Sequence, residues 1–101
     1  MSRAKHLQNK FPEALREART ASGLSQEAFS LASSRTYVSS LERGLGTPTL
    51  KKVDELAEVL EIHPLTLLAL SYLTHKDPGA VDSLLSQVSR EISELWKPVK
   101  P

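Results

Sequence analysis

Arg35, Thr36, Ser39, Ser40 and Arg43 offer cations and hydroxyls within one short stretch, and no carboxylate stands among them before Glu42. Val38 and Leu41 sit three apart, so a helix over this stretch turns both inward and leaves the five polar residues on its outer face. Such a face suits a surface of hydrogen-bond acceptors and phosphates. Ser25 and Ser34 each precede residues that can begin a helix, where a serine hydroxyl accepts a hydrogen bond from an unpaired first-turn amide. The whole run from Ser25 to Gly44, SQEAFSLASSRTYVSSLERG, therefore reads as two short helices separated by a tight turn.

No catalytic or metal-binding set accompanies this face. His6, His63 and His75 fall in different elements without ligand spacing, and His63 before Pro64 reads as a helix-start residue. There is no phosphate loop, no nucleotide-binding glycine fingerprint, and no serine, histidine and carboxylate grouping. Glu55, Glu58 and Glu61 read as the wet side of amphipathic helices. The expectation is a protein that is not an enzyme and uses neither cofactor nor metal. The chain has no cysteine, which excludes disulfides and thiolate metal sites. No apolar run approaches the roughly 20 residues of a membrane span, and the start, MSRAKHLQNK, lacks the apolar segment of a signal peptide. A cytoplasmic location without membrane contact is expected.

The net charge of +1 hides a division. Residues 1–52 hold nine Lys and Arg against four Asp and Glu, and residues 53–101 hold four against eight, giving +5 and −4. This polarity presents one end of the molecule to a polyanion.

The elements that must position the polar face can be followed in order. Residues 1–10 are polar and basic and read as a flexible arm. Pro12 begins a helix with Leu15, Ala18 and Ser22 on one side, and Gly23 ends it as a left-handed cap. A second helix over 26–32 offers Phe29 and either Leu31 or Ala32 to the core, and a third spans 35–43. After the turn Leu45-Gly46-Thr47-Pro48, Thr49 caps a fourth helix with Leu50, Val53, Leu56, Ala57 and Leu60 inward. His63-Pro64 opens a fifth, apolar on more than one side through Leu65, Leu67, Leu68, Leu70 and Leu73, which calls for cover beyond the five-helix core. Asp77-Pro78 starts a last helix, continuing to Pro98. On it Val81, Leu84, Leu85, Val88, Ile92, Leu95 and Trp96 recur at nearly heptad spacing. It either folds back on its own domain or forms a dimer contact through Leu84, Leu85, Val88, Ile92, Leu95 and Trp96. The stripe is longer than a small core needs, and aromatic anchors are enriched at interfaces, which favours the dimer.

The segments Gly23-Leu24-Ser25-Gln26-Glu27, Ser34-Arg35-Thr36-Tyr37-Val38-Ser39 and Leu41-Glu42-Arg43-Gly44, followed by Pro48, resemble the helix-turn-helix domains of the phage repressor and Cro-like (XRE) family over residues 11–73. One departure is that family members have two more residues, including a glycine, between the glutamine and the recognition helix; here Leu31-Ala32-Ser33 must make that turn. The resemblance implies that the third helix enters a major groove, which admits an α-helix. It implies base contacts by Arg35, Thr36, Ser39 and Ser40, with Arg35 gripping both acceptors of a guanine. It implies contacts to the DNA backbone by Gln26, Ser34, Tyr37, Arg43 and Lys51, and a structural ion pair between Arg19 and Glu42.

The expected fold is all-α: a five-helix, repressor-like DNA-binding domain over residues 11–75, preceded by the arm 1–10 and followed by the additional C-terminal amphipathic helix in 76–101. The expected function is a sequence-specific DNA-binding transcriptional regulator, a repressor that binds a palindromic operator on double-stranded DNA as a homodimer. The competing reading is a protein-interaction module, or an antitoxin-like protein, whose leucine-rich C-terminal surface binds a protein partner.

Overall fold

The structure, a computed structural model, describes residues 9–30 and 32–97, and every regular element among them is helical. These are α1 (Phe11–Ala21), a single 3-10 turn (Gln26–Phe29), α2 (Arg35–Glu42), α3 (Leu50–Leu60), α4 (Pro64–Tyr72) and α5 (Pro78–Leu95). The all-α fold is as expected.

Local chemistry sets most of the boundaries. Four helices begin on a side chain that accepts a first-turn amide: Ser34 from Tyr37, Thr49 from Lys52, His63 through Nδ1 from Leu65, and Asp77 from Ala80. Each of these satisfies an amide that has no partner within the helix. Three helices end in the same left-handed turn, at Gly23 (φ 73°), Gly44 (φ 74°) and Glu61 (φ 59°). In each, the amide of the turn residue and of the residue after it returns to carbonyls of the last turn, as in Leu24 N to Arg19 O and Ile62 N to Ala57 O. Glycine adopts this conformation freely, whereas the Cβ of Glu61 crowds its own carbonyl.

The core gathers Phe11 and Leu15 from α1, Phe29 from the 3-10 turn, Val38 and Leu41 from α2, Leu56 and Leu60 from α3, and Leu67 from α4. α1 packs on α2 and α4, α3 packs on α4, and the two-turn α2 is held against α1 and the 3-10 turn. Burial of these eight large apolar side chains at about 1.5–3 kcal/mol each supplies the main drive for this arrangement.

Four expectations are corrected. The second helix stops at Phe29, not Ala32, as one 3-10 turn; the Phe29 carbonyl accepts both Ala32 N (2.8 Å) and Ser33 N (2.7 Å), which bends the chain. Leu50 is exposed, because it opens α3 before the helix reaches the core. Ser22 is exposed too, its hydroxyl bonded back to Ala18 O. Asn9 and Lys10, counted in the arm, are fixed: Asn9 Nδ2 donates to Ser71 Oγ (3.0 Å) and Lys10 N to Ser71 O (2.7 Å). Residues 1–8 of the arm, Leu31 and the stop at Pro98 lie outside the described residues.

α5 has no buried residue. Its first turns face α4 across an open apolar groove of about 310 Å³ that includes Leu65, Ala69 and Leu73 on one side and Val81, Leu84 and Leu85 on the other. The apolar surface of α4 is thus only partly covered, and Leu65 remains exposed.

Replacing Glu61 by glycine relieves the left-handed strain at the end of α3. Urea unfolding of E61G should show a gain of about 0.5–1 kcal/mol over the parent; an unchanged or lower midpoint would show that the carboxylate contributes more than the strain costs.

Candidate nucleic-acid interface

α2 presents its polar face as a short, rigid projection. Arg35 and Thr36 in its first turn are exposed, as is Arg43 at its end, while Ser39 and Ser40 are half-buried on the same helix. Ser34 is exposed but its hydroxyl already accepts the Tyr37 amide at 3.1 Å, leaving its proton to donate outward. Arg43 Nε lies 3.4 Å from the Ser39 carbonyl, a long bond that leaves most of the guanidinium unengaged. Lys51 is exposed at the start of α3.

The orientation of α2 is set at its C-terminal end by a fork. Arg19 Nε donates to Glu42 Oε2 at 2.6 Å and Nη2 to Oε1 at 3.0 Å, while Nη1 reaches the Leu24 carbonyl at 3.0 Å. The Glu42 side chain is only 5% exposed and that of Arg19 15%. Gln26 completes the site by donating its amide to Glu42 Oε1 at 3.1 Å, so its second amide proton remains for an outside acceptor. Burial pushes the Glu42 carboxyl up, but the hydrogen bonds from Arg19 and Gln26 and the charges of Arg19 and Arg16 outweigh it, and the pKa lies below the ordinary value. The bond to Glu42 raises the Arg19 pKa against the effect of burial. A planar, two-bond fork of this kind fixes direction as well as distance.

The N-terminal end of α2 is braced by Lys52, from the first turn of α3. Lys52 Nζ donates to the Ala32 carbonyl at 2.6 Å, pairs with Glu55 at 2.9 Å, and sits 5.6 Å from the centroid of the Tyr37 ring. The turn that lacks the usual glycine is therefore tied to α3 by an ammonium. Its hydrogen bond also holds the Glu55 carboxyl below its ordinary pKa. Tyr37 is half-buried against the core, its ring covered by this cation. The i,i+3 pairing of Lys52 with Glu55 was visible in the sequence, but nothing in the spacing pointed to Ala32.

Glu27 was likewise missed. Its carboxylate lies 3.7 Å from Arg35 Nη1, with both side chains about two-thirds exposed, and a polar cleft of about 250 Å³ lined by Arg19, Ser25, Gln26, Glu27 and Arg35 opens beside the pair. An exposed pair of this kind contributes only about 0–1 kcal/mol and yields readily to a competing anion. The arrangement as a whole can hold three cations, Arg35, Arg43 and Lys51, several hydroxyls and one free amide against a surface of acceptors. Among the described residues no group of acidic, histidine or cysteine side chains is disposed to hold a metal ion.

Two measurements probe this framework. Because the folded pKa of Glu42 is depressed, the stability it contributes is complete above the unfolded carboxylate value, about 4.3, and is lost as pH falls through the folded value. Urea midpoints taken from pH 7 to pH 3 should fall more steeply in the parent than in E42Q, which should be less stable by about 3 kcal/mol at neutral pH. Lys52→Met retains the stem and removes the donor; amide exchange at Ala32 and Ser33 should quicken by about tenfold while the core amides hold. Unchanged exchange there would mean that the turn stands without the lysine.

A family model described as helix-turn-helix matches residues 15–67, which takes in the Arg19–Glu42 fork, the 3-10 turn, all of α2 and α3, and the start of α4. No curated protein and no solved structure matches the chain. No described helix is long and apolar enough to cross a membrane. With half of the chain under the match and the paired elements in place, the chain belongs to the helix-turn-helix family, the DNA-binding regulators of the XRE type.

Proposed function

We propose that the protein is a cytoplasmic transcriptional repressor that binds a palindromic operator as a homodimer, with α2 in the major groove. The observation that carries this reading is the outer face of α2: exposed Arg35 and Thr36 at its start, serines behind them and Arg43 at its end, with the helix's own carboxylate, Glu42, bound to Arg19. The Arg35 fork matches the two acceptors of guanine, and the Thr36 methyl suits thymine. Ser39 and Ser40 supply less selective base contacts. Gln26, Ser34, Tyr37, Arg43 and Lys51 surround this face and fit contacts to phosphate, which set register without reading sequence. Glu27 holds Arg35 loosely until base acceptors replace the carboxylate.

The exposed stripe Leu85, Val88, Ile92, Leu95 and Trp96 on α5 supports the homodimer. Two subunits related by a two-fold axis meet half-sites about 34–36 Å apart on one face of the duplex. Repression then needs occupancy alone. The same stripe is what favours the second reading, in which α5 binds a different protein and DNA binding is secondary.

Selection of bound sequences from random duplex DNA distinguishes the two. The intact protein should enrich an inverted repeat, R35A should lose about 1–3 kcal/mol of base discrimination at one position of each half-site, and a chain ending at Lys76 should retain only weak half-site binding. E27Q should tighten binding by about two- to fivefold, within the range of an exposed ion pair. If no sequence is enriched even at low salt, where non-specific contacts are strongest, the DNA-reading assignment fails and the protein-partner reading stands.

A further inference from the structure

We infer that two copies of α5 pair antiparallel, so that Trp96 of each copy seats in the groove between α4 and α5 of the other. The inference rests on the homodimer reading and specifies how that dimer is built. Val81, Leu85, Val88, Ile92 and Leu95 follow one another at alternating spacings of four and three, the pattern of a two-helix seam. The seam is uncovered: Leu95 and Trp96 are 88% and 83% exposed, and Leu85 and Ile92 about half. The apolar groove lies toward the opposite end of the same helix, with Leu84 about 18 Å from Trp96 along the axis.

A two-fold axis crossing α5 near Arg90 sets Leu85 against Leu95 and Val88 against Ile92. It carries Trp96 to the level of Leu84, which lines the groove with Leu65 and Ala69. Parallel pairing stacks Trp96 on its own copy and leaves both grooves open to water. Charge points the same way. The antiparallel register brings Lys97 within one residue of the level of Asp82, whereas the parallel one sets each against its own kind, and opposed helix dipoles attract. Leu65, Leu85, Val88, Ile92, Leu95 and Trp96 each leave between 39 and 88% of their surface exposed, an uninterrupted apolar strip of the kind that an interface between copies covers.

The chain has one tryptophan and no cysteine, so both can serve as clean reporters. Full-length L85C and L95C are oxidised separately and mixed, with the oligomeric state followed by sedimentation equilibrium. Antiparallel pairing predicts a disulfide in the mixture between unlike chains and none in either protein alone, where like positions stand about 15 Å apart along the helix. Trp96 emission should shift to the blue as the dimer forms. L65E, a change at an exposed position of the groove, should reverse that shift and weaken association by about tenfold or more. Disulfides in each variant alone with none between unlike chains, or a dimer whose Trp96 emits as in water, would overturn the inference while leaving the homodimer in place. A chain that remains monomeric at every concentration would remove both.

Discussion

The geometry of the polar face depends on one buried fork, Arg19 to Glu42. α2 has eight residues, too few to hold a helix in water unaided. Its inward side is fixed by Val38 and Leu41, but apolar contacts are non-directional and would let a two-turn helix roll. The fork supplies the missing direction. Arg19 binds both carboxylate oxygens and the Leu24 carbonyl, and Gln26 binds the same carboxylate, so α1, the chain between α1 and the 3-10 turn, that turn itself and the end of α2 share a single charged site. The charges are largely withdrawn from water, and their bonds must offset that loss, which is why all three guanidinium nitrogens of Arg19 and both oxygens of Glu42 are engaged where the two helices meet.

The other end of α2 is managed differently. There the chain turns sharply through Ala32 and Ser33, with the hydroxyl of Ser34 and the ammonium of Lys52 as its supports. One end is rigid through paired charges and the other through capping, and between them the outer residues need make no structural contacts of their own. Arg35 holds only a long, exposed pair with Glu27 and Thr36 is exposed, so the groups assigned to base edges are those with least to give up.

The helices themselves were legible because their causes are local. Serine, threonine, histidine and aspartate at the starts, glycine at two of the ends, and apolar residues at three-four spacing mark α1 to α5 within a residue or two. The short 3-10 turn was not legible, because Gln26 to Ala32 has the composition of an ordinary helix and only the tertiary bend at Phe29 truncates it. The exposure of Leu50 was hidden for a similar reason: periodicity gives the side of a helix but not where along its length the core begins. Of the candidate site, the residues on α2 could be placed from spacing, and the fork came from the resemblance. Lys52 to Ala32 and Asn9 to Ser71 span 20 and 62 positions, and no local pattern encodes such pairs.

The seclusion of α5 from the core has a consequence for control. An 18-residue helix that buries no side chain in its own domain is close to the length at which a helix barely sustains itself in water. For a homodimer joined through it, helix formation and association then become one event, and dilution costs the protein both together. Operator occupancy would rise with more than the first power of protein concentration. A modest change in synthesis or turnover would thereby become a sharper change in the fraction of DNA bound, with the threshold set by the apolar stripe of α5 and not by the residues that read the bases.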